Sequence, residues 1–127
     1  MQHGKAALED TVDTLLKNGI GFTGLDFPES DHTNGYTIER NGIQVHFLAY
    51  NSRPEQYYLH PPLYARADPD TIRRDIEVAR EYADVIAISL HWGDEFIDFP
   101  SYPQIELAHD IIDSGADIIL GLSLIHI

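Results

Sequence analysis

The sequence predicts an α/β fold with parallel βαβ units and a β-hairpin, and three observations support this prediction. Two apolar runs, residues 85–90 and 118–121, have the length and composition of strands buried on both faces, as in parallel sheets. An amphipathic segment precedes each run, so the chain order is helix, strand, helix, strand, and the crossover is predicted to be right-handed. An Asn41-Gly42 pair between two β-rich runs is typical of a two-residue hairpin with a type I′ turn.

Local signals support each of three helices. The first covers residues 4–18 and ends at an Asn-Gly pair, where glycine accepts the left-handed conformation. The second begins with Asp68 as N-cap, Pro69 at the first helical position and Asp70 near the positive end of the dipole. The third covers residues 102–114. The predicted inward-facing residues are Leu8, Val12, Leu15 and Leu16 in the first helix, Ile72, Ile76 and Ala79 in the second, and Ile105, Ala108, Ile111 and Ile112 in the third.

The hairpin strands are predicted at residues 36–40 and 43–50. In the second strand, three apolar residues alternate with Gln44 and His46, which predicts that the apolar set faces inward. The apolar set is Ile43, Val45 and Phe47. His46 is therefore predicted to be an ordinary outward-facing residue of the strand.

The connecting segments differ in composition. A short strand is predicted at residues 20–24 and a loop at residues 25–35. The acidic residues and the histidine of that loop are interpreted as a solvated surface, since nothing in the pattern orients them toward one point. Prolines and tyrosines interrupt residues 51–67, so this segment is predicted to be a loop without regular structure and a candidate substrate loop.

Composition limits the possible partners. The 127 residues suffice for one small domain, and 43% hydrophobic with 23% charged residues is typical of a globular protein. With 21 Asp and Glu against 8 Lys and Arg, the net charge is −13, which argues against nucleic acid and anionic membranes as partners. The chain contains no cysteine, which excludes disulfides, thiolate zinc sites and a cysteine nucleophile.

A polar cluster follows the central apolar run. The sequence His-Trp-Gly-Asp-Glu occupies residues 91–95, directly after the predicted buried strand. Ligands of open α/β sheets bind outside the carboxyl ends of the strands. His91 with two carboxylates close behind is therefore a candidate metal or acid–base position. The alternative is a strand that ends in a solvated turn, with His91 at its edge.

Four segments of the sequence also match a known family. They are residues 4–19 with the ending Leu-Leu-Lys-Asn-Gly-Ile, the strand 45–50, the stretch 83–93 ending Ser-Leu-His-Trp-Gly together with Glu95 and Pro100, and the stretch 112–121 preceded by Gln104 and Leu107-Ala108. On these motifs the sequence resembles the CapA family of capsule and poly-γ-glutamate synthesis proteins. The domain of that family is related to calcineurin-like metallophosphoesterases.

The resemblance implies a fold, an activity and a set of partners. Residues 1–121 would form a partial metallophosphoesterase-like sandwich, and the parent protein would be a metal-dependent phosphoesterase-like hydrolase for capsule or poly-γ-glutamate synthesis or export. His91 would be a ligand of a divalent Mn, Zn or Mg ion, and Glu95 would support that ligand or contact the substrate. The implied partners are an anionic polymer or phosphorylated substrate and a membrane-associated synthesis complex, and the implied location is the cell envelope.

Two alternatives stay open because fold does not fix function. The first is a non-catalytic partner that binds the polymer or a synthetase through the same fold. The second is a metallophosphoesterase that acts on a small phosphorylated molecule.

The sequence also departs from the family pattern. A Gly-Asp strand, an Asn-Leu-Glu segment and an Asn-Asn-His motif are expected upstream, and a His-His-Pro-His run is expected after Gly121. Residues 122–127 instead read Leu-Ser-Leu-Ile-His-Ile, which resembles a translated sequencing adapter, so we interpret them as a non-native tail. We therefore expect a fragment, and we expect that His126 does not take the place of a metal ligand from the His-His-Pro-His run. A two-metal centre needs several ligands for each ion, and one histidine at one strand end does not supply them. We therefore expect the fragment to be inactive and to retain no metal.

The resemblance further predicts marginal stability. Without the upstream strands, sheet edges and apolar surface would be exposed to solvent. We expect the isolated chain to unfold at moderate temperature or to aggregate on heating, which calorimetry combined with light scattering measures. A reversible and cooperative transition of the monomer at high temperature would contradict this prediction.

Overall fold

The computed structural model describes residues 4–26, 34–52, 63–93 and 99–122. Helices in these ranges are α1 (Gly4–Lys17), α2 (Pro69–Arg80) and α3 (Tyr102–Asp113). The strands are β1 (Leu25–Asp26), β2 (Tyr36–Arg40), β3 (Ile43–Asn51), β4 (Leu63–Tyr64), β5 (Val85–His91) and β6 (Ile118–Leu122). Among the helices of the described ranges, none is long and apolar enough to span a membrane.

A four-stranded sheet with the order β2-β3-β5-β6 organises the fold. Strands β2 and β3 pair antiparallel, whereas β3 with β5 and β5 with β6 pair parallel. The prediction that the β3, β5 and β6 segments share one sheet is confirmed, and α3 connects the parallel pair β5 and β6. The α/β class with parallel βαβ units and a β-hairpin is thus confirmed.

The hairpin turn has the predicted geometry. Asn41 has a φ of 55° and Gly42 a φ of 79°. Both central residues of a type I′ turn need positive φ, which asparagine tolerates and glycine adopts without cost. The turn therefore fixes the register in which Arg40 opposes Ile43.

Helices α2 and α3 cover one face of the sheet. The core combines Leu48 and Tyr50 of β3 and Ile86, Ile88 and Leu90 of β5 with residues of the two helices. The helix residues in it include Ile72, Ile76 and Ala79 of α2, as predicted, and Ile111 of α3. The N-terminus of α2 also has the predicted cap, because Asp68 Oδ2 accepts a hydrogen bond from the Thr71 amide at 3.0 Å.

The predicted orientation of β3 is wrong. His46 is only 6% exposed and lies on the helix-covered face with Leu48 and Tyr50, whereas Ile43 is exposed and Val45 is half-buried on the other face. Both sets of alternating residues contain large side chains, so the pattern alone did not identify the face that the helices cover. The imidazole is accommodated by a 2.8 Å hydrogen bond between Thr37 Oγ1 and His46 Nδ1. It also makes an edge-to-face contact with Tyr82, with the two ring centroids 5.4 Å apart.

Three further predictions need correction. In α3, Ile105 and Ile112 are exposed, because the stripe that meets the core is centred on Leu107 and Ile111. In α1, Val12 is buried but Leu16 is exposed at the edge of the stripe. Residues 20–24 form no strand; the short strand is instead β1, which pairs antiparallel with β4 inside the segments predicted to be loops.

A polar cluster joins α2 to the amino ends of the parallel strands. The Arg80 guanidinium donates to the carbonyl oxygens of Asp84 and Gly115 and to the Asp117 carboxylate. Asp117 Oδ2 also accepts a hydrogen bond from the Ile86 amide at 2.8 Å. This backbone hydrogen bond and Arg80 lower the pKa of Asp117 from its ordinary value.

The burial of His46 predicts a pH-dependent stability. Burial lowers the pKa of His46 below the ordinary value of 6.5, and the nearby Asp75 opposes this effect only in part. At a pH between the folded and the unfolded pKa, the unfolded chain therefore binds a proton on His46 that the folded chain does not bind. The contribution of neutral His46 to the free energy of unfolding is fully present above the unfolded pKa of 6.5. It is lost as the pH falls below 6.5, until the lower folded pKa is reached.

We expect the free energy of unfolding, measured by urea denaturation, to fall more steeply between about pH 7 and about pH 5 in the native chain than in a His46→Gln variant. His109→Gln, which changes an exposed histidine of α3, is the matched control and should keep the native pH slope. An unchanged slope in His46→Gln would contradict the assignment.

Candidate functional site

The carboxyl ends of the parallel strands meet at one edge of the sheet. Asn51 at the end of β3 pairs in register with His91 at the end of β5, and His91 pairs with Leu122 at the end of β6. His91 therefore lies at the predicted position, and its side chain is half-buried. This edge is where ligands of open α/β sheets bind, so it is the candidate functional site.

Ser52 holds the end of β3 against the end of β5. Its amide donates to the His91 carbonyl oxygen at 3.0 Å, and its Oγ donates to the same oxygen at 3.1 Å. On the other side of β5, the Trp92 amide donates to the Leu122 carbonyl oxygen at 3.3 Å. Three hydrogen bonds therefore fix the backbone on both sides of His91.

The chain leaves β5 through a glycine in the left-handed region. Gly93 has a φ of 95°, and a Cβ built there would lie 2.5 Å from Nε2 of Gln104. Gln104 cannot move away without cost, because its Oε1 accepts a hydrogen bond from the Ser101 amide at 2.7 Å at the N-terminus of α3. Gly93 is thus required both by its backbone conformation and by close contact with α3.

Close packing also determines a glycine on β6. A Cβ on Gly121 would lie 2.9 Å from Nε1 of Trp92. The indole is half-buried and packs against the core cluster next to the site. The edge is therefore bounded by Trp92 on the side of β6.

A buried tyrosine lies one residue before this edge on β3. The Tyr50 hydroxyl donates to Asp75 Oδ2 at 2.9 Å, which ties β3 to α2. Burial raises the pKa of Tyr50 well above its usual range, and the Asp75 charge raises it further. The hydroxyl therefore stays protonated, and its contribution is to the structure of the edge.

Several predicted residues lie outside the described ranges. Glu95 is one of them, as are most of the acidic loop after β1, most of the candidate substrate loop before β4, and His126. The proposed roles of His91 and Glu95 stay predictions. Within the described residues, no group of three or more His, Cys, Asp or Glu side chains could hold a metal ion. The donors in this part of the chain thus do not fit a metal centre, since His91 offers one ligand where an ion needs several.

The structure adds two residues to the edge that sequence patterns did not indicate. A parallel bridge pairs Asn51 with Arg66, just beyond β4. Arg66, Asn51 and His91 therefore occupy three adjacent register positions, which we name the edge row. A local pattern does not reveal it, because the bridge joins two segments that the sequence predicts to be separate.

Comparison with known proteins defines the class of this chain. The family model described as "Bacterial capsule synthesis protein PGA_cap" matches residues 1–124. The chain therefore belongs to this family of bacterial capsule synthesis proteins. The predicted resemblance to the CapA family is confirmed, and the mixed α/β sheet is consistent with a partial metallophosphoesterase-like fold.

Curated relatives give the same assignment. The chain is 27% identical to "PGA biosynthesis protein CapA" of Bacillus subtilis (strain 168), over 95% of this chain and 33% of the relative. It is also 27% identical to "Capsule biosynthesis protein CapA" of Bacillus anthracis, over 94% of this chain and 31% of the relative. A "probable polyglutamine synthesis accessory protein" of Mycobacterium tuberculosis is 25% identical over 69% of this chain and 23% of the relative. The chain thus spans about a third of the length of the two Bacillus relatives.

The conformation of Gly93 gives a testable prediction. Gly93→Ala should lower the free energy of unfolding by about 1–2 kcal/mol for the left-handed backbone, and further through the contact with Gln104. Gly19→Ala is the matched control, because Gly19 has a φ of 66° and open space around its Cα. Urea denaturation should show a larger loss for Gly93→Ala than for Gly19→Ala.

A double-mutant cycle isolates the contact with α3. In a Gln104→Ala background, the excess cost of Gly93→Ala over Gly19→Ala should shrink, because the obstructing amide is gone. An excess that stays the same in both backgrounds would show that Gln104 does not constrain the exit from β5.

Proposed function

We propose that this chain is part of a protein that acts in the synthesis or export of a capsular polymer of the poly-γ-glutamate class. The supporting observation is the family match over residues 1–124, combined with a preformed polar edge at the carboxyl ends of the parallel strands. The family match supplies the biological process, and the edge supplies the place where a ligand would bind.

Within this function, we propose that His91 is one ligand of a divalent ion in a phosphoesterase-like hydrolase. Its imidazole lies at the end of a buried parallel strand, and hydrogen bonds fix its backbone on both sides. Glu95 would support that ligand or contact the substrate. The remaining ligands would come from groups other than the described ones, and the ion would be Mn²⁺, Zn²⁺ or Mg²⁺.

A non-catalytic role is the second candidate. It is favoured because no group of three or more His, Asp or Glu side chains among the described residues could hold a metal ion. In this case the same edge would bind the polymer or a synthetase within a membrane-associated complex. The two candidates differ in whether the His91 side chain is needed for hydrolysis.

Metal binding to the isolated chain gives the first test. A single imidazole should bind Mn²⁺ weakly, with a dissociation constant of about 1 mM or more. Paramagnetic broadening of histidine ring signals in NMR spectra detects such weak contacts. We expect the ring signals of His91 to broaden at lower Mn²⁺ concentrations than those of His109, an exposed histidine on α3. Equal broadening of the two would argue against His91 as a ligand.

The functional test uses a chimera. Residues 1–122 would replace the matching portion of the Bacillus subtilis relative, which gives a chimera of that relative's length. Phosphoesterase activity and polymer production are then measured for the chimera and its variants. We expect His91→Ala to abolish metal-dependent activity and His109→Ala to preserve it. A His91→Ala chimera with normal metal content and activity would remove the hydrolase proposal and leave the binding role.

A further inference from the structure

Three Asn-Gly pairs occur in the chain, at residues 18–19, 34–35 and 41–42. In such a pair the backbone nitrogen of the glycine can attack the side-chain carbonyl carbon of the asparagine, because the glycine carries no side chain that obstructs the approach. The structure places these three pairs, which share one local chemistry, in three different environments. Comparison of the environments therefore identifies the pair that is able to react.

The carboxamide of Asn34 is held at both ends. Its Oδ1 accepts hydrogen bonds from Thr23 Oγ1 at 3.0 Å and from the Gly24 amide at 2.9 Å, and its Nδ2 donates to the Ala49 carbonyl oxygen at 3.2 Å. Gly35 also packs closely against a histidine ring of β3, so the backbone of this pair has little room to rotate. The Asn34 pair is therefore locked.

The Asn18 pair is exposed, but its reacting nitrogen is occupied. The Gly19 amide donates to the Leu16 carbonyl oxygen at 3.0 Å in the turn that ends α1. Asn18 Nδ2 donates to the Thr14 carbonyl oxygen at 2.7 Å. Exposure alone thus does not free an Asn-Gly pair for reaction.

The Asn41 pair is the least constrained of the three. Both residues are exposed, and a Cβ built on Gly42 would meet open space. Within the described ranges, the Asn41 carboxamide forms no hydrogen bond. The peptide between Asn41 and Gly42 lies beyond the last register pair, Arg40 with Ile43. This pair therefore combines a free side chain with a free peptide.

The hairpin turn also lies close to the geometry that the reaction needs. A five-membered ring joins the Gly42 nitrogen to Asn41 Cγ, so this nitrogen must eclipse the Asn41 Cβ. The substituents of a tetrahedral Cα are about 120° apart, which places the eclipsed arrangement at a ψ of about −120°. A positive φ with this ψ defines the first central residue of a type II′ turn. Asn41 already has a φ of 55°, so a flip of the Asn41–Gly42 peptide is what separates the two turns.

This flip leaves the two strands paired. Types I′ and II′ are both two-residue turns whose twist matches antiparallel strands. Glycine at the second central position adopts negative φ as readily as positive φ. The ring can therefore close while the β2–β3 ladder stays intact, whereas Asn34 must first break three hydrogen bonds.

We propose that Asn41 is a site of intramolecular deamidation at the tip of the β2–β3 hairpin. A bond forms between the Gly42 nitrogen and Asn41 Cγ, the Cγ–Nδ2 bond breaks, and ammonia leaves with the proton of the Gly42 amide. Water then opens the resulting succinimide at either of its two carbonyl carbons, which gives aspartate or isoaspartate at position 41. Water is the one co-reactant, and oxidation states do not change.

The two products differ in their effect on the hairpin. Aspartate before glycine also suits a type I′ turn, so this product keeps the turn and adds one negative charge. Isoaspartate adds one carbon atom to the main chain, so the register of Arg40 with Ile43 is lost. Strand β2 is at the edge of the sheet and pairs with β3, which makes its pairing dependent on this turn. Isoaspartate formation therefore loosens β2.

The test is mass spectrometry of peptides from the folded chain after incubation at mildly alkaline pH in water labelled with heavy oxygen. Fragmentation locates the label and separates isoaspartate from aspartate. We expect Asn41 to deamidate at least about tenfold faster than Asn34, because each hydrogen bond that must open at Asn34 lowers the reactive population. Asn18 should also react more slowly than Asn41, because the Gly19 amide is hydrogen-bonded.

Incubation in urea is the matched control, because all three asparagines precede a glycine. In the unfolded chain the three rates should converge, which assigns the difference to the fold. A ranking that persists unchanged in urea would overturn the structural basis of the proposal. Equal rates at Asn41 and Asn34 in the folded chain would overturn it as well.

A variant connects the modification to the hairpin. Asn41→Gln removes the fast site, because its longer side chain would have to close a six-membered ring. NMR spectra of the incubated native chain should show a second set of signals for residues of β2 and β3, and the incubated Asn41→Gln chain should not. Dispersed spectra before incubation verify that both chains are folded. Identical spectral changes in the two incubated chains would show that Asn41 is not the reactive site.

Discussion

The parallel pairing of β3 with β5 is the constraint on which the rest of the structure depends. It runs over seven register pairs from Val45↔Val85 to Asn51↔His91. Because side chains alternate between faces, this register places Leu48, Tyr50, Ile86, Ile88 and Leu90 under α2 and α3. A slip of one residue would move all of them to the other face, and burial of this apolar set therefore fixes the register.

The same register determines the candidate site. Since the core alternates with the opposite face, the residue after each last buried position must project away from the helices. This applies to Arg66, Asn51 and His91, which follow Ala65, Tyr50 and Leu90. The packing that stabilises the fold thus also aligns the side chains of the edge row, and the row needs no separate structural element.

The sequence predicted those features that depend on local chemistry. The Asn41-Gly42 turn, the cap of α2 by Asp68 and the strand end at His91 each follow from a few adjacent residues. The position of His91 is confirmed, whereas its role as a metal ligand stays a prediction.

Features that depend on tertiary contacts were predicted incorrectly or not at all. The face of His46 was predicted incorrectly because both alternating sets on β3 contain large side chains. Ile105 and Ile112 of α3 were predicted to face inward. They are exposed because the helix packs through Leu107 and Ile111, and only this one stripe meets the core. The two-residue strands β1 and β4 lie in proline-rich or polar segments, and the bridge from Asn51 to Arg66 depends on them. That bridge is long-range in the chain, so the edge row could not be inferred from sequence.

The two faces of the sheet differ in a way that links apolar burial to the electrostatics of the edge row. The helix-covered face holds the core, whereas the other face exposes apolar side chains such as Ile38 on β2 and Leu120 on β6. The edge row projects from this second face, at its carboxyl end. Any group that covers the exposed apolar residues would lower the dielectric constant around the row and strengthen the electrostatic interactions of its side chains. Burial of these apolar residues and the electrostatics of the edge row are therefore coupled through one surface.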